Sequence, residues 1–139
     1  MVITRTWANR PQVDSARLFR TLDAPARSRI AAAGTEESYV AGGVIYPQGA
    51  IGEDFFLLVS GRVAIDVDGR TVREIDAKDE DNFFGEVAAI FPGRRRNATV
   101  KTLAPVQTLR LRGSELRRLV EAEMAVRYAL VIAIKERTP

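Results

Sequence analysis

The chain has 139 residues, of which 46% are hydrophobic and 28% charged, and its net charge is +3. That balance fits one soluble domain large enough to bury a core without staples, and it suits an anionic small molecule better than the dense basic stripe of a nucleic-acid binder. Cys and His are both absent, which excludes disulfides, thiol nucleophiles, triad hydrolysis and the usual His-ligated metal sites. No enzymatic activity, metal or cofactor is expected.

Residues 1–12 are polar and read as an arm, with no apolar core of signal-peptide length. A helical pattern starts at Asp14 or Ser15, carries Leu18, Phe19, Leu22, Ile30 and Ala33, is divided by Pro25 and ends at Gly34. The middle of the chain is rich in Gly, β-branched and aromatic residues. "RVAIDV" alternates, with Val63, Ile65 and Val67 on one face, and Asp68-Gly69 is a strong hairpin signal. Further strands are expected over 43–46, 54–60, 70–76, 97–103 and 105–111. Many short strands with closely spaced turns predict a sandwich or small barrel of the jelly-roll type. Gly49, Gly52 and Gly61 read as turn residues. A helical C-terminus follows, with Ser114 as N-cap, Glu115 and Glu121 early, and Lys135 and Arg137 near the end. Its stretch 128–134 is apolar on every side, too short to cross a bilayer, and suited to core or intersubunit packing. A cytoplasmic location is expected.

The segment "GEVAAIFPGRRRNATV", residues 85–100, makes chemical sense as an anion site. A helix starting at Gly85-Glu86 offers unpaired N–H groups, and a glycine there lets a ligand approach the backbone. A phosphate held by those amides is completed by a guanidinium. Glu86 cannot share the phosphate, but it can accept from a neighbouring ribose hydroxyl. If 94–100 is extended, Arg94 and Arg96 face one way and Arg95 the other, so one arginine meets the anion while its neighbour stays in solvent.

"FFGEVAAIFPGRRRNATV" resembles the phosphate-binding cassette of the cyclic nucleotide-binding domain family, and "YPQGAIGEDFFLLVSGRVAI" resembles the glycine-patterned stretch that precedes it. The two motifs stand in the family's order, and the likeness runs from about residue 15 to about 122. It implies a mainly β fold, a double-stranded β-helix of eight strands with helices at both ends: helices over 13–33, the β-roll over 36–112 and C-terminal helices over 114–137, all in one domain spanning 13–139. It implies that Gly85 and the amides of Glu86, Val87 and Ala88 cradle the cyclic phosphate and that Glu86 accepts from the ribose 2′-hydroxyl. Arg96 pairs with the phosphate, Arg95 being the fallback if the insert is one residue shorter. Asn97 and Ala98 complete the site, with Asn97 where the family has Ser, Thr or Ala, leaving cAMP or cGMP open.

Two features depart from the family. The connection "DAKDEDN" is longer and more acidic, which lowers anion affinity somewhat. The sequence also closes at Pro139, near where the family's lid helix begins; Arg127 and Tyr128 are the residues considered for reaching the base. The implied function is sensing of cAMP or cGMP with transmission through the terminal helices, either to an effector or within a homodimer through helix 124–137. No membrane is involved, and nucleic acid is not expected for this chain alone. The alternatives are a degenerate assembly module, and the sensory half of a transcription regulator of the catabolite-activator type.

Overall fold

The chain is described by a computed structural model over residues 18–20 and 22–137. The expected arm 1–12 and the first residues of the expected helical region lie outside the described residues. Leu18–Arg20 form a turn, and the first helix among the described residues, α1, is Ala24–Ala33. Pro25 stands in the first turn of this helix, at the boundary where the sequence divides the helical pattern. The missing N–H of proline costs nothing in a first turn, and Asp23 caps that turn by accepting from the Ala26 amide at 3.0 Å.

Eight strands follow: β1 (Thr35–Tyr39), β2 (Val44–Tyr46), β3 (Phe55–Ser60), β4 (Arg62–Val67), β5 (Arg70–Asp76), β6 (Phe83–Phe84), β7 (Thr99–Thr102) and β8 (Val106–Leu111). A short helix α2 (Glu86–Ile90) separates β6 from β7, and α3 (Gly113–Ala122) and α4 (Met124–Arg137) close the chain. The strands form two antiparallel sheets, ordered β1-β8-β3-β6 and β2-β7-β4-β5. Gly61 makes the β3–β4 corner with φ +91°, and a Cβ there would lie 2.3 Å from the Pro105 carbonyl oxygen. The β4–β5 hairpin turns through Asp68 (φ 52°) and Gly69 (φ 80°), both left-handed as a type I′ turn requires.

Period-2 alternation in β3 divides the core. Phe55, Leu57 and Val59 face the helices with Leu18, Phe19, Ile30, Leu116 and Leu130. Phe56 and Leu58 face the interior of the roll with Val63, Ile75, Phe84 and Val100. Both faces of the strand are covered, which is why "FFLLVS" is nearly all apolar.

Two local expectations change. α3 begins at Gly113 with Arg112, not Ser114, in the N-cap position, and no side chain caps it. The 128–134 stretch is two-faced: Ala129, Leu130 and Ala133 are buried, whereas Tyr128 and Val131 are exposed. No helix among the described residues is long and apolar enough to cross a membrane.

Candidate functional site

The cassette lies where β6 ends. Gly85 has φ +82°, and a Cβ would stand 2.8 Å from the Asp54 carbonyl oxygen and 3.0 Å from Arg96 Nη1. Only glycine takes this turn without strain and lets the arginine come so close. α2 then starts at Glu86, and the first amide with an intrahelical acceptor is that of Ala89, which donates to Gly85 at 3.2 Å. The Glu86, Val87 and Ala88 amides precede it.

The three consecutive arginines end in different surroundings. Arg96 is buried, 6% exposed, and its guanidinium donates to the carbonyls of Asp54 (2.8 Å) and Gly85 (3.4 Å). It lies 4.2 Å from the Tyr46 ring centroid and 6.0 Å from that of Phe56, a cation–π seat within an aromatic cluster in which Phe56 and Phe84 stack at 5.1 Å. Arg95 is exposed and donates to the Gly49 carbonyl, while Arg94 is exposed over the Phe91 ring. The alternation expected from an extended 94–100 does not hold for Arg94, because the regular strand starts only at Thr99 and Arg94 follows the Pro92-Gly93 turn. Gly52 is not in a left-handed turn; it packs beside Arg96, 3.5 Å from where its Cβ would stand to Nη2.

Glu86 is likewise buried. Its carboxylate accepts from Arg137 Nη1 at 3.0 Å, and Arg137 also donates to the Asp81 carbonyl at 2.6 Å and lies 4.5 Å from the Phe83 ring centroid. The last turn of α4 is thereby tied to the cassette and to the acidic 76–82 connection. Burial pushes the Tyr46 phenol well above its ordinary pKa, against the opposing pull of the Arg96 charge. The phenol stays neutral under the guanidinium.

The expected site residues Gly85, Glu86, Val87, Ala88, Arg95, Arg96 and Asn97 all line one notch of about 20 Å³. It adjoins a larger cavity of about 620 Å³, with which it shares Tyr46, Gly85, Glu86 and Asn97, and which Ala98 also lines. Ile65, Val67, Val72 and Ile75 of the β4–β5 hairpin form its apolar wall, and Arg73, Glu136 and Arg137 complete it. Arg127 and Tyr128 do not contribute: Arg127 donates to the Val120 and Glu121 carbonyls at the end of α3, and Tyr128 is 68% exposed. Sequence reading missed Tyr46, Asp54 and Arg137. Tyr46 stands directly before the proline of the upstream motif, the one local signal that pointed to it.

The model of the cyclic nucleotide-binding domain family matches residues 36–123, and the chain belongs to that family. No curated protein matches the sequence. Solved structures share its fold. PKAR CBD2 bound to Sp-2Cl-cAMPS superposes with TM-score 0.75 at 22% identity, covering 93% of this chain and 86% of its own. A putative cyclic nucleotide-binding protein from Geobacter metallireducens GS-15 gives TM-score 0.76 at 19% identity, with 94% and 98% covered. The catabolite activator protein of Thermus thermophilus gives 0.72 at 22% identity; the match covers 88% of this chain and only 58% of that one.

Proposed function

We propose that this chain is a non-catalytic regulatory module that binds a cyclic nucleotide, cAMP or cGMP, and passes the event on through its C-terminal helices. The observation that carries this reading is the state of Arg96. Among the described residues its hydrogen-bond partners are two main-chain carbonyls, and no carboxylate pairs with it. A buried cation without a counter-ion is costly, and a monoanionic cyclic phosphate offsets that cost. The charges lining the two cavities agree in sign: Arg73, Arg95, Arg96 and Arg137 outnumber Glu86 and Glu136, so the site is net positive and suits an anion.

In this reading the Gly85–Ala88 backbone and Arg96 hold the phosphate, Glu86 accepts from the ribose 2′-hydroxyl, and the base lies along the β4–β5 wall. Arg137 supplies the coupling. It joins the ribose contact to α4, so a nucleotide that repositions Glu86 changes what holds the helix. The helix can shift only by as much as the nucleotide's affinity differs between its two positions. The outer face of the same helix exposes Met124, Tyr128 and Val131 at one-turn spacing, and we assign to it the partner that receives the signal, a second copy or an effector.

Thermal denaturation with nucleotide tests the reading. At a hundred times its dissociation constant a ligand adds about 2.7 kcal/mol, worth roughly 10 °C in a chain of this size. Absence of any shift with either nucleotide at millimolar concentration would overturn it.

A further inference from the structure

Tyr46 lines both the phosphate notch and the large cavity that adjoins it. Its ring is fully employed: the centroid lies 4.2 Å from the Arg96 guanidinium carbon, 5.9 Å from the Phe56 ring and 6.1 Å from the Phe84 ring. Its hydroxyl is not, for among the described residues it makes no hydrogen bond. Tyr39 shows the contrast, since its hydroxyl donates to the Glu37 carboxylate. A phenol withdrawn from water normally finds a partner, because an unpaired one forfeits the solvation it gave up. Phenylalanine would pack the same cluster, as Phe56 and Phe84 do, so packing does not account for the oxygen. The charges of Arg96, Glu86 and Arg137 all act on the hydroxyl, which sets it among the groups of the phosphate and ribose subsites. Glu86 does not take its proton, being held by Arg137 at 3.0 Å.

Resting on the reading above, we propose that Tyr46 is a further phosphate-binding residue of the cyclic nucleotide site: its hydroxyl donates to an exocyclic oxygen of the phosphate, while its ring seats Arg96 for the same anion. A cyclic phosphate diester spreads one negative charge over two exocyclic oxygens, and both only accept. Arg96 and the Gly85–Ala88 amides offer N–H donors. The phenol adds an O–H donor without a charge, so it neither repels Arg96 nor brings a second cation to be desolvated. An O–H donor on an ionised oxygen makes a short, strong bond. Because the hydroxyl has no protein partner, no hydrogen bond is broken to form this one, and the contact contributes to binding rather than to folding. The phosphate is common to both nucleotides. The contact therefore strengthens cAMP and cGMP alike and takes no part in choosing the base.

Calorimetric titration of the whole chain, wild type against Tyr46→Phe, tests the proposal. The probes are cAMP, cGMP and the Sp and Rp phosphorothioate isomers of cAMP, in which sulfur replaces one exocyclic oxygen or the other. The variant keeps the ring and loses only the oxygen. It should bind cAMP and cGMP each about tenfold more weakly than wild type, with the ratio between them unchanged and the melting temperature of the free protein no lower. Sulfur accepts hydrogen bonds poorly, so wild type should lose affinity for one isomer through this contact. That loss should shrink in Tyr46→Phe, and the loss for the other isomer should not. Wild-type affinity in Tyr46→Phe, or the same thio penalties in both proteins, would overturn the contact and leave the cyclic-nucleotide reading intact. A changed ratio of cAMP to cGMP would put the hydroxyl on the base and overturn the phosphate assignment. A lower melting temperature of the free variant would make the hydroxyl a structural group instead. Failure of wild type to bind any of the probes would overturn both readings together.

Discussion

Two arginines lie against the same aromatic ring and reach the same residue, yet they are built into different kinds of site. Arg96 lies 6.0 Å and Arg110 5.8 Å from the Phe56 centroid. Arg110 pairs with the side chain of Asp54 and, at 2.8 Å, with the buried Glu37, which also accepts from the Tyr39 hydroxyl. Burial works against the Arg110 charge, but Glu37 and Asp54 together raise its pKa. That network is complete without a ligand. Arg96 takes only the main-chain carbonyl of Asp54, with that of Gly85, and among the described residues no carboxylate pairs with its charge. The two differ in burial, Arg96 being buried and Arg110 exposed, and in the chemistry of their partners, main-chain carbonyls for the one and carboxylates for the other.

Exchanging each arginine for alanine separates the two roles. Arg96→Ala should remove the whole nucleotide-induced gain, about 2.7 kcal/mol at a hundred times the dissociation constant, with the unliganded melting temperature nearly unchanged. Arg110→Ala should do the reverse. It strands the buried Glu37 carboxylate, costs about 2 kcal/mol in urea unfolding of the free protein, and leaves the nucleotide-induced shift in place. If Arg96→Ala weakened the free protein as much as Arg110→Ala, the contrast would collapse and Arg96 would be a structural residue.

A smaller effect is expected at the joint between site and helix. Arg137→Ala strips Glu86 of its counter-charge and should weaken nucleotide binding by about fivefold, a loss of about 1 kcal/mol. Hydrogen exchange gives the sharper readout: nucleotide should change protection along α4 in the wild type and not in the variant. Unchanged coupling in Arg137→Ala would show that the signal leaves the cassette by another route.

The smallest expected effect lies outside both arginine sites. Asp66 accepts from Thr71 at 2.7 Å and pairs with Lys101 at 3.0 Å; these contacts, Thr71 first, hold its carboxyl below the usual range. A depressed folded pKa gives stability that is present above the unfolded value of about 4 and is lost as pH falls through the lower folded value. Asp66→Asn should therefore lose less stability than wild type on acidification from about pH 4 to pH 2. Identical acid profiles would show that the pair adds nothing.

What could be read from sequence follows from how far apart the partners lie along the chain. The cassette is a contiguous stretch, so the glycine, the acid and the arginines announced themselves, and hairpin chemistry at Asp68-Gly69 did the same for β4 and β5. Arg137 read only as a cation at a helix end, because nothing local links it to Glu86, 51 positions away. β1 was not among the expected strands, since "TEESY" with its paired glutamates resembles a solvated loop. It becomes a strand because Arg110, 73 positions from Glu37, neutralises one of those acids. β6, only two residues long, is too short to show a period. Which of the three arginines turns inward depended on the turn at Pro92-Gly93, whose geometry the alternation rule does not describe.

Arg96 rests on oxygens that belong to the main chain, and this bears on how the module tolerates genetic drift. A substitution can delete the Asp54 carboxylate and open the Arg110 network, but no single codon change removes a peptide carbonyl. The arginine's seat is thus insulated from most point mutations in its surroundings. Lineages that lose ligand recognition should carry the lesion at Arg96 itself, or at the glycine whose bare backbone makes room for it.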